Sequence, residues 1–261
     1  GFIAANELGQ TTTLGRNGSN YSASILANIL NAEELQNYTH VDGIFTANPE
    51  LVTDAKIIER LSFEEANELA NFGTSILHAK TIIPLLEKKI PLRILNTFKP
   101  NDTGTLICEA QDSIGGIRAI SVLENYALAI LEGRGLLGKV GVDARIFRAL
   151  AQAQISVSII SQGSSERGIG FLVTNKDAHK AKQALEKEFE SDVYSHDVSG
   201  VSLVEEVGVV SIVGQNLADF DKPYNALIRN QVIPLLINNS ATGRNVSVVI
   251  HKKDLPKAVN V

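Results

Sequence analysis

The sequence predicts an α/β protein built from two parts, and three observations support this prediction. Segments typical of strands and helices alternate over roughly the first 110 residues, which favours a sheet layered with helices. The rest of the chain contains an internal repeat at a fixed offset, the sign of duplicated modules. With 261 residues, 44% of them hydrophobic and 20% charged, the chain has a globular composition and enough length to bury a sizeable core.

Charge and composition exclude several classes of partner. The net charge of −5 leaves no basic surplus for nucleic acid or an anionic membrane surface. No apolar run approaches the ~20 residues that a membrane span needs. The single cysteine, Cys108, excludes an internal disulfide and predicts a reducing, cytoplasmic location. The five histidines lie far apart along the sequence, so we expect no structural metal.

The first candidate site lies in residues 11–23, TTTLGRNGSNYSA. Gly15 and Gly18 allow a sharp turn before an apolar-periodic helix, for which Ser19 is the predicted N-cap. Free backbone N–H groups beside Arg16 would favour an anionic ligand such as a carboxylate or phosphate. An ordinary connection between a strand and a helix is the alternative for this short pattern.

Further elements are predicted downstream. Residues 62–73 predict a helix in which Ser62 and Glu65 form a capping box. Helical character resumes after it, and Pro84 should kink or end this second helix. Residues 91–97 have the apolar composition of a buried strand.

The internal repeat relates residues 147–177 to residues 224–254 without a gap, at an offset of 224 − 147 = 77. Each copy reads as strand, helix, strand, turn, strand and helix start, the βαββα order of a ferredoxin-like unit. Because each small copy would leave a sheet edge exposed, we expect the copies to pair side by side and across chains. The identical pairs include Ala149–Ala226, Leu150–Leu227, Gln154–Gln231, Ile160–Ile237, Arg167–Arg244 and Asp177–Asp254.

The order of these segments resembles the C-terminal half of the aspartokinase catalytic domain, in the amino-acid kinase family. From about residue 118 onward the chain resembles paired ACT regulatory modules. The resemblance implies a partial αβα kinase sandwich at residues 1–110, followed by ferredoxin-like βαββαβ ACT modules at 111–200 and 201–261, the last a candidate for truncation. The segments that carry the kinase resemblance are residues 11–23, 37–49, 61–73, 76–84, 90–98 and 104–107.

The resemblance also implies a reaction. Aspartokinases transfer the γ-phosphoryl group of ATP, bound with Mg²⁺, to the side-chain carboxylate of L-aspartate. That nucleophile is already ionised near neutral pH, so catalysis rests on positioning and charge neutralisation. Arg16 would be the catalytic clamp on the substrate carboxylate. Gly18, Ser19 and Asn20 would line the same pocket, and Thr39, His40, Gly43, Phe45, Glu50 and Ser75 would lie at the nucleotide.

Several of these positions depart from the family pattern. Asn20 and His40 replace aspartates, while Glu50 and Ser75 replace an arginine and a lysine. Each cation lost beside a triphosphate weakens binding by about 1–3 kcal/mol where it is partly buried. Either Lys80 compensates, or the nucleotide binds poorly. The family's N-terminal KFGGTS segment is not in this sequence, so we expect a fragment that is inactive by itself while its parent is active.

The ACT resemblance implies an effector site for an amino acid between modules. Helix-start N–H groups suit a carboxylate, and the amide of Gln162 suits a hydroxyl or ammonium group. A solvated hairpin turn is the alternative explanation of the SQGSSE segment. Asn238 and Asn239 replace this segment's first residues in copy two, which predicts unequal sites. The effector residues in copy one would be Gly141, Val142, Asp143, Ala144, Gln162, Ser164 and Ser165.

Two functional hypotheses remain. The chain is part of an aspartokinase, or it is a regulatory module that senses amino acids and dimerises without kinase activity. We favour the second as the activity of these residues alone. The implied partners are L-aspartate, ATP, an allosteric amino acid (threonine before lysine) and further copies of the chain. The segment LGRNGS, residues 14–19, resembles the corresponding segment of bifunctional proteins that continue into a homoserine dehydrogenase.

Overall fold

The computed structural model describes residues 1–15, 17–71, 79–109, 116–163, 167–215, 217 and 220–261. The strands are β1 (Ile3–Ala5), β2 (Thr11–Thr13), β3 (Leu35–Thr39), β4 (Arg60–Ser62), β5 (Leu92–Asn96), β6 (Thr105–Cys108), β7 (Gly116–Glu132), β8 (Ile160–Gln162), β9 (Gly168–Thr174), β10 (Gly200–Gln215), β11 (Leu236–Asn239) and β12 (Asn245–His251). The helices are α1 (Gly18–Leu30), α2 (Phe63–Asn71), α3 (Ala79–Lys88), α4 (Val142–Gln152), α5 (Ala178–Glu188), α6 (Glu190–Tyr194), α7 (Asp221–Arg229) and α8 (Leu255–Ala258). The predicted α/β class is confirmed.

The first region contains a four-stranded sheet in the order β3-β5-β6-β4. Strand β5 runs parallel to β3 and antiparallel to β6, while β4 and β6 are parallel. The strand predicted at residues 91–97 is confirmed as β5, whose Leu92 and Ile94 are fully buried because they share one face of the strand and pack in the core of this region. Helices α2 and α3 contribute Leu69 and Leu85 to the same core.

The predicted capping box is confirmed at the start of α2. The backbone N–H of Ser62 donates to Glu65 Oε2 at 2.9 Å, and the backbone N–H of Glu65 donates to Ser62 Oγ at 3.1 Å. The predicted end of this helix at residue 73 lies outside the described residues. Helix α3 continues four residues beyond Pro84, so that proline does not end it. Contacts with α1 hold the helix there, because Asn28 Nδ2 donates to the carbonyl of Pro84 at 2.6 Å.

The predicted N-cap of α1 is wrong. The cap is Asn17 in the left-handed conformation (φ 60°), and Ser19 lies exposed in the first helical turn. The β1–β2 hairpin packs closely against the helix start, where a Cβ on Gly18 would lie 2.6 Å from that of Leu14. The chain must therefore reverse sharply before Gly18, and asparagine tolerates the left-handed conformation that this reversal requires.

The predicted repeat is confirmed to the residue. Strands β9 and β12 begin 245 − 168 = 77 residues apart, and helices α5 and α8 begin 255 − 178 = 77 residues apart. Equivalent backbone hydrogen bonds recur at this offset: Ile155 donates to Leu150 at 2.9 Å, and Val232 donates to Leu227 at 2.9 Å. The conserved spacing therefore reflects one folding unit used twice.

The two copies pair side by side within one chain, in a six-stranded sheet ordered β11-β12-β10-β7-β9-β8. The long strands β7 and β10 are antiparallel at its centre. Residues 126–132 of β7 pair also with β9, and residues 207–213 of β10 pair also with β12. Residues 116–123 of β7 thus lie in the half-sheet of the second copy. The domain boundaries near residues 110 and 200 stay a prediction.

The first region and the repeat sheet share one core. Ala119 and Val213 of the sheet are buried in the same cluster as the side chains of α2. The backbone N–H of Ile120 donates to the carbonyl of Thr46 at 2.8 Å. None of the described helices combines the length and apolar composition that crossing a membrane would require.

We predict that Gly104→Ala destabilises the fold far more than Gly9→Ala. Both glycines have left-handed backbones, with φ 61° and 75°. A Cβ at position 9 would meet no atom within 4 Å, whereas one at position 104 would overlap the carbonyl oxygen of Ile94. Chemical denaturation should show a loss of about 1–2 kcal/mol for Gly9→Ala. Gly104→Ala should lose several kcal/mol, because steric overlap with a buried backbone adds to the conformational cost. Equal losses would contradict the packing described for β5 and β6.

Candidate functional site

A cavity of about 370 Å³ brings together four of the residues predicted to bind an effector. Gly141, Val142 and Asp143 contribute from the start of α4, and Gln162 contributes from the end of β8. Gly141 has φ 88°, which turns the chain into the helix and leaves its first N–H groups facing outward. The complete lining is Leu136, Gly138, Lys139, Val140, Gly141, Val142, Asp143, Gln162 and Ile169.

The other predicted effector residues are not part of this lining. Ala144 is exposed on α4 and does not line the cavity. Ser164 and Ser165 lie outside the described residues. Sequence reasoning missed Lys139, the cation of the lining; its position two residues before Gly141 was the signal available. It also missed Ile169, which forms a wall because β9 pairs with β8.

A network of charged side chains lies directly behind this cavity. Lys139 Nζ is 2.6 Å from Asp192 Oδ1, and Arg145 Nη2 is 2.8 Å from Asp192 Oδ2. Arg145 also donates through Nε to Glu188 Oε1 at 2.9 Å, and its guanidinium lies 4.2 Å above the ring of Phe189. The Asp192 side chain is only 8% exposed, so its two oxygens are satisfied almost entirely by protein donors.

This environment stabilises the charged form of Asp192. The hydrogen bond from Arg145 is the largest influence and that from Lys139 the next, and together they outweigh burial and lower the pKa of Asp192 to about 2. The same contacts raise the pKa of Arg145 above its ordinary value, with Asp192 the main cause and Glu188 the second. Asp192 and Arg145 are therefore both charged throughout the neutral range.

A second cavity, of about 320 Å³, lies between the first region and the repeat sheet. Three residues predicted at the nucleotide, His40, Phe45 and Glu50, line it. Strand β7 supplies the opposite wall, which the sequence did not predict. The complete lining is His40, Val41, Ile44, Phe45, Ala47, Asn48, Pro49, Glu50, Leu51, Leu69, Ile120, Ser121, Val122 and Glu124.

The remaining nucleotide-side residues lie elsewhere. Thr39 ends β3 and is not part of this lining. Gly43 is buried, and a Cβ there would lie 2.6 Å from Thr105 Oγ1, so close packing accounts for this glycine. Thr105 Oγ1 also accepts the backbone N–H of Ile44 at 2.8 Å. Ser75 lies outside the described residues.

The charge of the second cavity is negative. Among its described lining residues, Glu50 and Glu124 are carboxylates, and none is a lysine or arginine. The nearby Lys99 is paired with Asp42 at 2.6 Å. Hydrogen bonds from Lys99 and then from Asn96 lower the pKa of Asp42. Such a lining gives little electrostatic attraction to a polyphosphate.

The residues predicted around the substrate carboxylate are only partly placed. Arg16 lies outside the described residues. Gly18 is buried against the hairpin, while Ser19 is exposed on α1. The backbone N–H of Asn20 donates to the carbonyl of Asn17 at 3.0 Å. Neither of the two cavities described above includes these residues. Among the described residues no cluster of three or more His, Cys, Asp or Glu side chains could hold a metal ion.

Comparison with known proteins gives matches to both parts of the chain. Residues 1–96 match the amino acid kinase family, and residues 130–189 match an ACT domain. A bifunctional aspartokinase/homoserine dehydrogenase of Haemophilus influenzae is 36% identical over 264 residues. That match covers 99% of this chain and 32% of the relative, so the chain spans about a third of the relative's length.

Solved structures show the same architecture. Escherichia coli aspartokinase III in complex with aspartate and ADP (R-state) matches with a TM-score of 0.83 and 28% identity, covering 100% of this chain and 58% of that chain. The same enzyme in complex with lysine and aspartate (T-state) matches with a TM-score of 0.76 and 28% identity, covering 99% of this chain and 57% of that one.

We predict that the stability contributed by Asp192 depends on pH in the acid range. Its folded-state pKa of about 2 lies below the ordinary 3.8, so the contribution is complete above about pH 5 and is lost as the pH falls towards 2. A shift of this size corresponds to about 2 kcal/mol. The free energy of unfolding of Asp192→Asn should be lower than that of the unmodified chain by this amount at neutral pH, and the two should converge near pH 2. Glu190→Gln, an exposed change in the same helix, is the control and should differ little; a constant deficit in Asp192→Asn would contradict the ionic explanation.

Proposed function

Because residues 1–96 match the amino acid kinase family and residues 130–189 match an ACT domain, we propose that the chain joins the kinase and regulatory parts of an aspartokinase. The whole protein would transfer the γ-phosphoryl group of ATP, bound with Mg²⁺, to the side chain of L-aspartate. Within the 261 residues, the activity would be binding of an allosteric amino acid. The solved relative that holds aspartate and ADP supports this assignment of substrates.

The single observation that carries the sensing function is the cavity at the start of α4. Gly141 and Gln162, separated by 162 − 141 = 21 residues, meet in one cavity of a size suited to an amino acid. Helix-start N–H groups and the Lys139 ammonium suit an α-carboxylate, Asp143 suits an ammonium group, and the Gln162 amide suits a side-chain hydroxyl. A zwitterion with a hydroxyl is complementary to this set of groups.

We propose threonine rather than lysine as the effector. A hydroxyl can both donate to and accept from the Gln162 amide, whereas a lysine side chain would bring a second ammonium towards Lys139. The solved relative in complex with lysine and aspartate is an example of an aspartokinase of this architecture that binds lysine. We further propose a cytoplasmic homodimer or larger assembly through the ACT repeats, and a parent protein that continues into a homoserine dehydrogenase, as the Haemophilus relative does by name.

The kinase part would act by positioning. The aspartate carboxylate is already an anion, so the protein need only hold it in line with the transferred phosphoryl group and neutralise charge. Arg16 would hold the substrate carboxylate, a role that the planar guanidinium suits. The negative second cavity supports weak nucleotide binding by these residues, because Glu50 occupies a position where the family has a cation.

A regulatory module without kinase activity is the second candidate. The absence of lysine and arginine from the described lining of the second cavity favours it. Aspartate-dependent release of ADP by the 261-residue chain would exclude this candidate. Binding of threonine without turnover would support it.

We predict that threonine stabilises the chain and that Gln162→Ala removes the effect. A ligand at 100 times its dissociation constant stabilises the folded state by about 2.7 kcal/mol, which raises Tm by several degrees. Thermal unfolding should show this rise with threonine and a smaller one with lysine. Asn239→Ala changes the equivalent position of copy two (162 + 77 = 239) and should keep the full response. Equal losses in both variants, or no response in the unmodified chain, would contradict the proposed site.

We predict that Glu50→Arg increases the affinity for Mg²⁺·ADP. The change replaces a carboxylate of the cavity lining with the cation that the family has there, and partly exposed charge pairs contribute about 0.5–1 kcal/mol each. Calorimetric titration should therefore show an increase of roughly twofold to fivefold. Glu33→Arg is the control. It makes the same charge change just before the first residue of β3, whereas the cavity residues follow the last residue of that strand, and it should leave the affinity for Mg²⁺·ADP unchanged. An unaltered affinity in Glu50→Arg would show that the nucleotide does not bind in this cavity.

A further inference from the structure

The loop that forms one wall of the effector cavity has little apolar anchoring. Val140 is fully exposed and Leu137 is 55% exposed, while Gly138 takes a left-handed φ of 67°. Lys139, between them, reaches back to Asp192 on α6, with 2.6 Å between Nζ and Oδ1. The loop therefore owes part of its position to an ionic contact, since hydrophobic burial of its side chains contributes little.

The adjoining start of α4 is held by the same carboxylate. Asp192 Oδ2 accepts from Arg145 at 2.8 Å, and Arg145 lies on α4, whose first residues line the cavity. Arg145 is further fixed by Glu188 and by the ring of Phe189. One buried side chain thus ties the loop to the helix. The position of the loop relative to the helix start, and with it the shape of this part of the cavity, therefore depends on Asp192.

Asp192 is itself rigidly placed. Its backbone carbonyl accepts the N–H groups of Asp197 at 2.9 Å and of Val198 at 3.0 Å. Ser195 Oγ donates to the same carbonyl at 3.1 Å. A side chain held in this way can fix its partners at little further entropic cost when the ligand binds.

We propose that Asp192, acting through Lys139, is a positioning residue that keeps the wall of residues 138–141 ready to receive the amino-acid effector. This proposal rests on the proposed function for the identity of the ligand. An ammonium group has three N–H donors; one is directed to Asp192 at 2.6 Å and Asp197 Oδ2 lies 3.9 Å away, so at least one donor of Lys139 is left for the effector carboxylate. Asp192 does not touch the ligand in this arrangement.

The first test is a double-mutant cycle in effector binding. Calorimetric titration with L-threonine should show affinity reduced roughly tenfold in Lys139→Met and in Asp192→Asn, with the double variant no weaker than either single one. Arg148→Met is the control: it removes a cation from the same helix α4, 3.9 Å from Glu188, and should keep the affinity. Additive losses, or unchanged affinity in a folded Asp192→Asn, would overturn the proposal.

A second measurement separates this proposal from the identity of the effector. Without ligand, amide hydrogen exchange at residues 138–141 should be at least roughly tenfold faster in Asp192→Asn and Lys139→Met than in the unmodified chain or in Arg148→Met. Unchanged exchange there would overturn the positioning role even if threonine binds. Faster exchange without any threonine response would uphold the positioning role while rejecting the proposed effector. Exchange measured in the core strand β9 reports whether a variant is merely less stable overall.

Discussion

The pairing of β7 with β10 is the constraint on which the rest of the molecule depends. The two strands, 17 and 16 residues long, run antiparallel through the centre of the sheet. Each strand has a second neighbour along only part of its length, and that second pairing begins next to a residue with positive φ, Asn125 in β7 and Glu206 in β10. Bulges of this kind increase the local twist and let one strand serve two half-sheets. Because β7 and β10 pair with each other, the inner edge of each repeat is covered by a strand of the other repeat.

Strand β7 also makes the contacts with the first region. Ala119 packs in the core of α2, Ile120 is hydrogen-bonded to Thr46, and Arg118 lies 3.5 Å from the buried carboxylate of Glu65. Glu65 is therefore shared between two tasks, since it also caps α2. A buried carboxylate needs such partners, because an unpaired one would be costly. The docking of the two regions is thus specified by polar contacts as well as by apolar burial.

Local sequence patterns predicted the helices and strands. The way the chain enters α1 and the ion pair behind the effector cavity depend on contacts that those local patterns do not contain. The capping box at Ser62 and Glu65 involves residues three apart, and the repeat spacing of 77 recurs between the starts of β9 and β12, so both were visible in the sequence. The N-cap prediction for Ser19 failed because the hairpin around Leu14, outside any local capping pattern, fixes how the chain enters α1. Half of the effector cavity was predicted from the helix start and the β8 turn. The tie from Lys139 to Asp192 was not, because it joins residues 192 − 139 = 53 apart.

The two cavities lie along one continuous strand. Residues 120–124 of β7 border the second cavity, while Leu131, near its other end, pairs with Ile169 of the effector cavity. Spatial continuity alone is not coupling, because energy passes between sites only through an element with two arrangements that both ligands bias. The irregularity at Asn125 divides β7 between the half-sheets: residues before it follow the second half-sheet and residues after it follow the first. If effector binding tightens the first half-sheet, the wall of the second cavity can shift about this point. By linkage, a ligand in the second cavity must then change effector affinity by the same factor.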